Sequence, residues 1–233
     1  RSTLTNNLFG VRVVSSNGTR IAGVNASRNG YAGLRVVGES WRGRGDTSVG
    51  TTVRNVTAIE NGATGVRFVD AERTVVRGLA VDGSPFGVWL TNSDDTTARN
   101  VSTVDTDYSL LSAAESHHVD ARMTIDRNTT VTARGNNLYL GSVSTPPADP
   151  DGYANVSEYV WVRVDSPNGT STLSVDYEDS AVPATVDEGS LRLWAYDGTW
   201  TQLANGSVDV DANSVNGSTD SGGIVAPLGE EAT

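Results

Sequence analysis

Residues 61–69 read NGATGVRFV, and this stretch decides the fold because its pattern recurs along the first half of the chain. A Gly or Ser followed by Val or Leu stands at positions 10, 33, 65, 87 and 109. The spacing is 22 or 23 residues once an insertion of about nine residues, within 39–50, is set aside. A fixed period of this length predicts structural units that stack on one another.

Apolar residues alternate within each repeat, as they do in β-strands. The expected inward columns are Val11, Leu34, Val66, Val88 and Leu110; Val13, Val36, Phe68, Leu90 and Ser112; Val24, Val56, Leu79, Val101 and Met123; and Ala26, Ala58, Val81, Thr103 and Ile125. A polar column contains Thr19, Thr51, Thr74 and Thr96 and ends at His118. Three short strands per repeat predict one coil of a parallel β-helix, whose coils must stack to bury their apolar faces.

The corners between the strands are rich in Asn, Gly and Asp. We expect left-handed backbone geometry at Asn29-Gly30 and Asn61-Gly62, since these residue types tolerate it. Asn stacked on Asn also favours a side-chain ladder, so the corner Asn residues are interpreted as structural rather than catalytic.

On these motifs, residues 4–140 resemble the right-handed parallel β-helix repeats of the pectate-lyase-like superfamily. The resemblance implies the fold more strongly than the function, because the family contains polysaccharide lyases, hydrolases and epimerases, phage tailspikes and non-enzymatic surface proteins.

The repeat fades after Ile125, and 128–140 are expected to form a last, irregular coil. Residues 142–152 form a Pro-rich linker. Beyond it, alternating stretches and an Asp197-Gly198 hairpin turn predict an antiparallel β-sandwich. We therefore divide this all-β chain into a right-handed parallel β-helix (1–141), a linker (142–152), a small β-sandwich (153–229) and a tail (230–233). Residues 186–229 resemble a module of archaeal surface proteins that serves as a spacer or docking unit.

Composition indicates a high-salt habitat. The chain has 17 basic and 28 acidic residues, all the basic ones being Arg, and a net charge of −11. Molar salt screens such a charge, and the Asp-rich, Lys-free composition resembles that of haloarchaeal proteins. The acidity argues against nucleic acid as a partner. There is no Cys, and no apolar run is long enough to span a membrane.

Nine Asn-x-Ser/Thr sequons favour a secreted, N-glycosylated protein. They begin at Asn17, Asn25, Asn55, Asn100, Asn128, Asn155, Asn168, Asn205 and Asn216. We expect only some of them to be occupied, and we expect the protein outside the cell or at the cell surface.

Catalytic and metal candidates are few. Asp149, Asp151 and Asn155 resemble half of a Ca²⁺ loop, but the loop lacks its sixth-position Gly and its final Glu. A linker turn is the preferred interpretation, so Ca²⁺ is the one cofactor considered and none is expected. His117 and His118 are neighbours on one strand, which places them on opposite faces and argues against a shared metal. Asp70, Asp82, Asp94 and Asp95 are expected at separate corners.

One pattern points to a ligand. The outward position two residues after each repeat Gly holds Arg12, Arg35, Arg67 and then Trp89. Arg54, Arg77 and Arg99 form a second row. Outward strand positions need polar groups, and ordinary pairing with acids would explain such Arg residues. The alternative is an elongated face for an anionic polymer, with Trp41, Arg42 and Arg44 of the insertion at its edge.

Two function classes follow. The first is a non-catalytic cell-surface structural or adhesive glycoprotein that binds an anionic glycan or neighbouring surface-protein subunits. The alternative is a polysaccharide-active lyase, hydrolase or epimerase. The first coil has no polar cap, so we expect upstream coils or a partner chain at the Arg1 end.

Overall fold

The computed structural model of this protein describes residues 2–38, 46–127, 129–165 and 169–232, and it is an all-β structure. Short 3-10 turns at Asp179–Ala181 and Glu188–Ser190 accompany the strands. The strands, numbered in chain order, are β1 (Ser2–Thr3), β2 (Phe9–Val14), β3 (Arg20–Ala22), β4 (Val24–Asn25), β5 (Ala32–Val37), β6 (Ser48–Val49), β7 (Thr52–Ile59), β8 (Thr64–Val69), β9 (Ala71–Glu72), β10 (Val75–Asp82), β11 (Phe86–Thr91), β12 (Thr97–Val104), β13 (Tyr108–Ala113), β14 (Val119–Ile125), β15 (Thr129–Gly135), β16 (Leu138–Ser142), β17 (Tyr153–Asn155), β18 (Val160–Val164), β19 (Ser171–Asp176), β20 (Arg192–Tyr196), β21 (Trp200–Gln202), β22 (Ala204–Asp209), β23 (Ser214–Thr219) and β24 (Gly223–Glu230).

Two long sheets contain almost all of these strands. Sheet A has the order β1-β4-β7-β10-β12-β14-β15-β19-β23-β22, with β3 added beside β7. Sheet B has the order β2-β5-β8-β11-β13-β16-β18-β24-β20-β21, with β17 added beside β24. Strands β6 and β9 form a small parallel pair at one corner.

The first half of the chain is a β-solenoid, because successive coils place parallel strands side by side in both sheets. Val11 pairs with Leu34, and Val88 pairs with both Val66 and Leu110, so the predicted inward column is confirmed. The column that contains Phe68 has the expected register too. Stacking buries these side chains in one continuous apolar core that no single coil could form.

A side-chain ladder along one corner is confirmed. The Oδ1 of Asn61 accepts hydrogen bonds from the backbone N–H (3.0 Å) and the Nδ2 (3.1 Å) of Asn29. One coil further on, the Oγ of Ser84 accepts from the backbone N–H of Asn61 at 3.0 Å. Asn29, Asn61 and Ser84 are all buried, and the ladder satisfies the backbone N–H groups of Asn29 and Asn61, which have lost water. The Nδ2 of Asn61 has no partner among the described residues.

The expected left-handed geometry at Asn29-Gly30 and Asn61-Gly62 is wrong. The positive φ angle falls one residue earlier, as at Arg28 (56°) and Glu60 (52°), which frees the Asn side chain for the ladder. Gly is needed at position 62 for another reason: a Cβ there would collide with the carbonyl oxygen of Gly30 in the coil below.

The polar Thr column ends at Val119 instead of His118. Thr97 pairs with Asp120, so the residue beside Thr96 is Val119, and the exposed His118 has a φ of 51°. The one-residue error arises from a bulge: between Ala98 and Val101, β12 contains one residue more than β14.

The chain reverses after β14. Strand β15 runs antiparallel to β14, and β16 runs antiparallel to β13. In place of the last, irregular coil expected over 128–140, the described residues therefore add one antiparallel strand to each sheet. Both sheets then continue with antiparallel strands to the end of the described chain. The hairpin predicted around Asp197-Gly198 is confirmed as β20 paired with β21.

Buried side chains from both sheets form one core cluster that extends from the solenoid into this antiparallel half. This cluster has members on both sides of residues 142–152, including Leu140 and Val156. Within the described ranges, no helix has the length and apolarity that crossing a bilayer requires.

Candidate functional site

The predicted Arg row lies on the outer face of sheet B. Arg12 pairs with Arg35, Arg35 with Arg67, and Arg67 with Trp89, so the structure brings all four side chains into one line across β2, β5, β8 and β11. Neighbouring strands are about 4.8 Å apart, which makes this a dense line of positive charge. We call it the Arg row.

Aromatic rings, rather than carboxylates, surround the Arg row. The Cζ of Arg35 lies 5.2 Å from the centre of the Phe9 ring, and the Cζ of Arg67 lies 4.1 Å from that of Trp89. Arg67 also donates a hydrogen bond from Nη1 to the hydroxyl of Tyr31. Within the described residues, none of the three Arg residues forms a salt bridge with an acid.

The close spacing of the positive charges in the Arg row affects the pKa of its central residue, Arg35. Partial burial, followed by the positive charges of Arg67 and Arg12, lowers the pKa of Arg35 below its usual value, although the side chain stays charged. The Nε atoms of Arg35 and Arg67 are buried and lack hydrogen-bond partners among the described residues. The row is therefore a crowded set of cations without acidic partners among the described residues, and a ligand anion would offset their mutual repulsion.

The second row, on sheet A, is different. Arg54, Arg77 and Arg99 are in register as expected. Arg99 forms a salt bridge with Asp120, and Asp120 is also bonded by Arg134 at 3.0 Å. Arg54 and Arg77 are exposed, and no aromatic ring is in cation–π contact with them among the described residues. The two rows share a spacing but not an environment.

A chain of aromatic rings continues from the Arg row toward the antiparallel strands. Ring centres are separated by 4.8 Å between Trp89 and Phe86, 5.5 Å between Phe86 and Tyr108, and 5.5 Å between Tyr108 and Trp161. Trp161 also contacts Tyr139 edge-on, at 6.3 Å. Sequence reasoning missed this set because it lay outside the repeat arithmetic, although Phe86 and Tyr108 occupy the same repeat position.

The candidate ligand-binding residues of the insertion, Trp41, Arg42 and Arg44, lie outside the described residues.

The Ca²⁺ candidates form a turn. The two carboxylate oxygens of Asp149 accept hydrogen bonds from the backbone N–H of Asn155 (3.0 Å) and from the hydroxyl of Tyr159 (2.6 Å). Asp151 is exposed. In the described ranges, no three His, Cys, Asp or Glu side chains are grouped as metal ligands would be.

The two His residues pair separately with acids of the preceding coil. The Nδ1 of His117 lies 3.1 Å from Asp94, and the Nδ1 of His118 lies 3.2 Å from Asp95. Asp70 accepts a hydrogen bond from the Nδ2 of Asn92 at 2.6 Å. These contacts connect neighbouring coils at their corners.

The sequons have unequal surroundings. Asn17, Asn55, Asn100 and Asn205 are exposed. Asn25, Asn155 and Asn216 are partly buried, and the Nδ2 of Asn155 donates to the carbonyl oxygen of Ser157. The sequons at Asn128 and Asn168 lie outside the described residues.

No protein-family model, no curated protein and no solved structure matches this chain. Its fold defines it as a β-solenoid protein with antiparallel strands at one end.

Proposed function

We propose that this chain is a non-catalytic glycoprotein of the cell surface in a high-salt environment, and that its Arg row binds an anionic glycan. The observation that carries the proposal is the line Arg12, Arg35 and Arg67, which ends on Trp89 and has aromatic rather than acidic neighbours among the described residues. Guanidinium groups bind carboxylate or sulfate groups through paired hydrogen bonds.

The aromatic neighbours support a sugar polymer as the ligand. Rings such as Trp89 offer flat apolar faces to the C–H groups of a sugar, while Arg groups pair with its acidic substituents. Contacts of short range also persist in molar salt, where long-range attraction is screened within about 3 Å. An acidic patch on a neighbouring surface-protein subunit is the other partner that this face would fit.

The remaining elements of the proposal come from sequence. The Lys-free, Asp-rich composition supports a halophilic and archaeal origin, and the sequons support export and glycosylation. We interpret the solenoid as a right-handed β-helix of the pectate-lyase-like kind, and residues 153–229 as a β-sandwich spacer or docking module. In this interpretation, the solenoid presents the binding face and the sandwich connects it to the surface layer.

Matched triple variants test the proposed function. In molar KCl, we expect wild type to bind sulfated or uronic-acid oligosaccharides, and Arg12→Gln, Arg35→Gln and Arg67→Gln together to weaken binding about tenfold or more. The control triple carries Arg20→Gln, Arg54→Gln and Arg77→Gln, which removes the same charge from sheet A and should leave affinity within about twofold.

Equal affinities in the three proteins, measured by calorimetry, would refute a role for the Arg row. If wild type binds an acidic protein partner but no glycan, the ligand of the Arg row would be a neighbouring subunit rather than a glycan. Cleavage of the oligosaccharide by wild type would instead favour a polysaccharide-active enzyme.

A further inference from the structure

We propose that Trp161 and Tyr108 form a second subsite on the same face, which takes an uncharged pyranose ring, so that the glycan contains both acidic and neutral sugars. This inference deepens the proposed function and rests on it for the identity of the polymer. It is carried by separate residues, on the far side of the aromatic chain from the Arg row.

The site is a shallow cavity of about 330 Å³ beside the two rings. Trp161 and Tyr108 are both partly exposed, and their rings meet edge to face at 5.5 Å. Such a pair presents one flat face and one edge, which suits the C–H-rich side of a sugar ring. The cavity is lined by Thr106, Asp107, Tyr108, Ser142, Ser144 and Trp161.

Gly141 lies beside the Trp161 indole. Gly141 is the partner of Trp161 on the adjacent strand, and a Cβ there would lie 2.8 Å from the carbonyl oxygen of Asp107 and 3.9 Å from the Trp161 indole. The Asp107 carbonyl is therefore what excludes a side chain at 141, since 3.9 Å is an ordinary van der Waals distance. The Trp161 ring extends across β16 and reaches Tyr108 on β13, which places the indole at the edge of the cavity.

The polar lining determines the chemistry of the ligand. The hydroxyls of Ser142 and Ser144 can each donate and accept hydrogen bonds, as sugar hydroxyls require, whereas Thr106 is buried with its Oγ1 toward Ser109. Asp107 adds a carboxylate, which accepts from hydroxyls but repels another carboxylate or a sulfate. An apolar face with hydroxyl and carboxylate groups at its rim fits a neutral sugar, whereas the Arg row fits an acidic one.

Spacing connects the two subsites. Trp89 on β11 and Trp161 on β18 are three strand spacings apart, or about 14 Å. Phe86 and Tyr108 bridge that interval with continuous ring contacts. A few sugar units laid across the strands would cover this length, so one chain can occupy both subsites.

The experiment uses the indole N–H signals of the five Trp residues in isotope-labelled full-length protein. The uncharged probes are cellotetraose, laminaritetraose and N-acetylchitotetraose, added to millimolar concentration. We expect at least one of them to shift the Trp161 signal in a saturable way, with the Trp200 signal unchanged. Trp161→Ala should abolish binding, while Trp200→Ala, at a ring packed on Tyr196, should preserve it.

Two further proteins separate this inference from the proposed function. The Arg12, Arg35 and Arg67 triple Gln variant should still bind the neutral probe, because the subsite does not use those residues. Asp107→Asn, which retains the shape of the site, should reduce several-fold the preference of the Trp161 site for neutral over uronic-acid probes. An alternating glucuronate and N-acetylglucosamine octasaccharide should bind wild type more tightly than either simple probe.

No shift of Trp161 with any neutral probe would overturn the subsite, even if uronic-acid oligosaccharides bind the Arg row. An unchanged preference in Asp107→Asn would also contradict it. If neutral probes bind at Trp161 and acidic ones bind nowhere, the subsite stands and the proposed anionic ligand fails.

Discussion

The guanidinium carbon of Arg67 lies 4.1 Å from the centre of the Trp89 ring, on the adjacent strand of sheet B. This cation–π pair is the point at which the line of charge becomes a line of aromatic rings. Because β8 and β11 are both core strands of the solenoid, the pair connects a candidate binding surface to the packing of successive coils.

A double-mutant cycle on Arg67→Gln and Trp89→Leu should give a coupling energy of about 0.5–2 kcal/mol in the free energy of unfolding. Urea denaturation gives the free energy of unfolding of wild type, the two single variants and the double variant. The control cycle combines Trp89→Leu with Arg77→Gln, which lies on the other sheet, and its effects should add to within about 0.5 kcal/mol. Equal coupling in the two cycles would mean that the ring contact contributes nothing.

The corner ladder predicts a graded response at Asn61. Asn61→Ala should destabilise the fold by about 1–3 kcal/mol, since it leaves the buried backbone N–H of Asn29 without its acceptor. The Nδ2 of Asn29 keeps the carbonyl oxygens of Leu4 and Ser27 as acceptors. Asn61→Ser should lose less, because Ser84 shows that a Ser hydroxyl can fill the same role one coil later. Thermal unfolding compares them, and a Ser variant no more stable than the Ala variant would contradict the ladder.

Asp120 should give the protein an acid-sensitive component of stability. Burial alone would raise the pKa of Asp120, but hydrogen bonds from Arg99 and Arg134 outweigh it and hold the pKa below the usual 3.8. A depressed carboxyl pKa stabilises the folded state above pH 3.8, and that stabilisation is lost as the pH falls through the folded-state pKa.

Asp120→Asn should therefore cost about 1–3 kcal/mol at neutral pH and flatten the stability profile below pH 3.8. Unfolding measured from pH 7 to pH 2 makes the comparison. The control is Glu60→Gln, which breaks the exposed pair with Arg28 and should cost no more than about 1 kcal/mol. An acid slope that is unchanged in Asp120→Asn would show that other groups carry it.

The melting temperature should rise steeply between low salt and molar KCl, because a net charge of −11 repels itself when unscreened. A triple variant with Asp197→Asn, Asp211→Asn and Asp220→Asn, all at exposed positions, should show a shallower dependence of the melting temperature on salt. Calorimetric scans at matched pH give both curves. A melting temperature independent of salt would remove the basis for a halophilic habitat.

Peptide mapping of native material should find a higher glycan occupancy at Asn17, Asn55 or Asn100 than at Asn155. The first three side chains are exposed, whereas Asn155 is partly buried and its Nδ2, the atom that a glycan would occupy, donates to Ser157. Occupancy at Asn155 as high as at Asn100 would show that modification does not follow exposure in the fold. Native protein with no glycan would count strongly against export through a glycosylating pathway.

Repeat arithmetic predicted the solenoid and the Arg row because a parallel coil fixes both from spacing alone. Once Val66 is assigned to the core, Arg67 must point outward, and the next coil repeats the arrangement. The same arithmetic failed at His118. Strand β12 contains one residue more than β14 between the paired positions, and Asn100 in that bulge has a φ of 51°. A bulge changes the count without changing the residue types, so composition gives no warning of it.

The contact between Trp161 and Tyr108 could not be predicted in the same way. Trp161 follows the linker and belongs to an antiparallel strand, so no period relates it to Tyr108. Their contact depends on both sheets continuing past the reversal at β15, which places β18 two strands from β13 in sheet B. Strand pairings across a change of strand direction join residues that are distant in the sequence, so the local sequence pattern does not predict them.

The coil spacing of the solenoid also gives this protein a unit of length. Duplicating one coil of 22 residues, such as 75–96, would move everything after it by about 4.8 Å along the stack and add one more position to each outward row. The reach of the molecule and the number of its contacts would thus change in whole steps, through tandem duplication or deletion, while the interior of each coil stays the same.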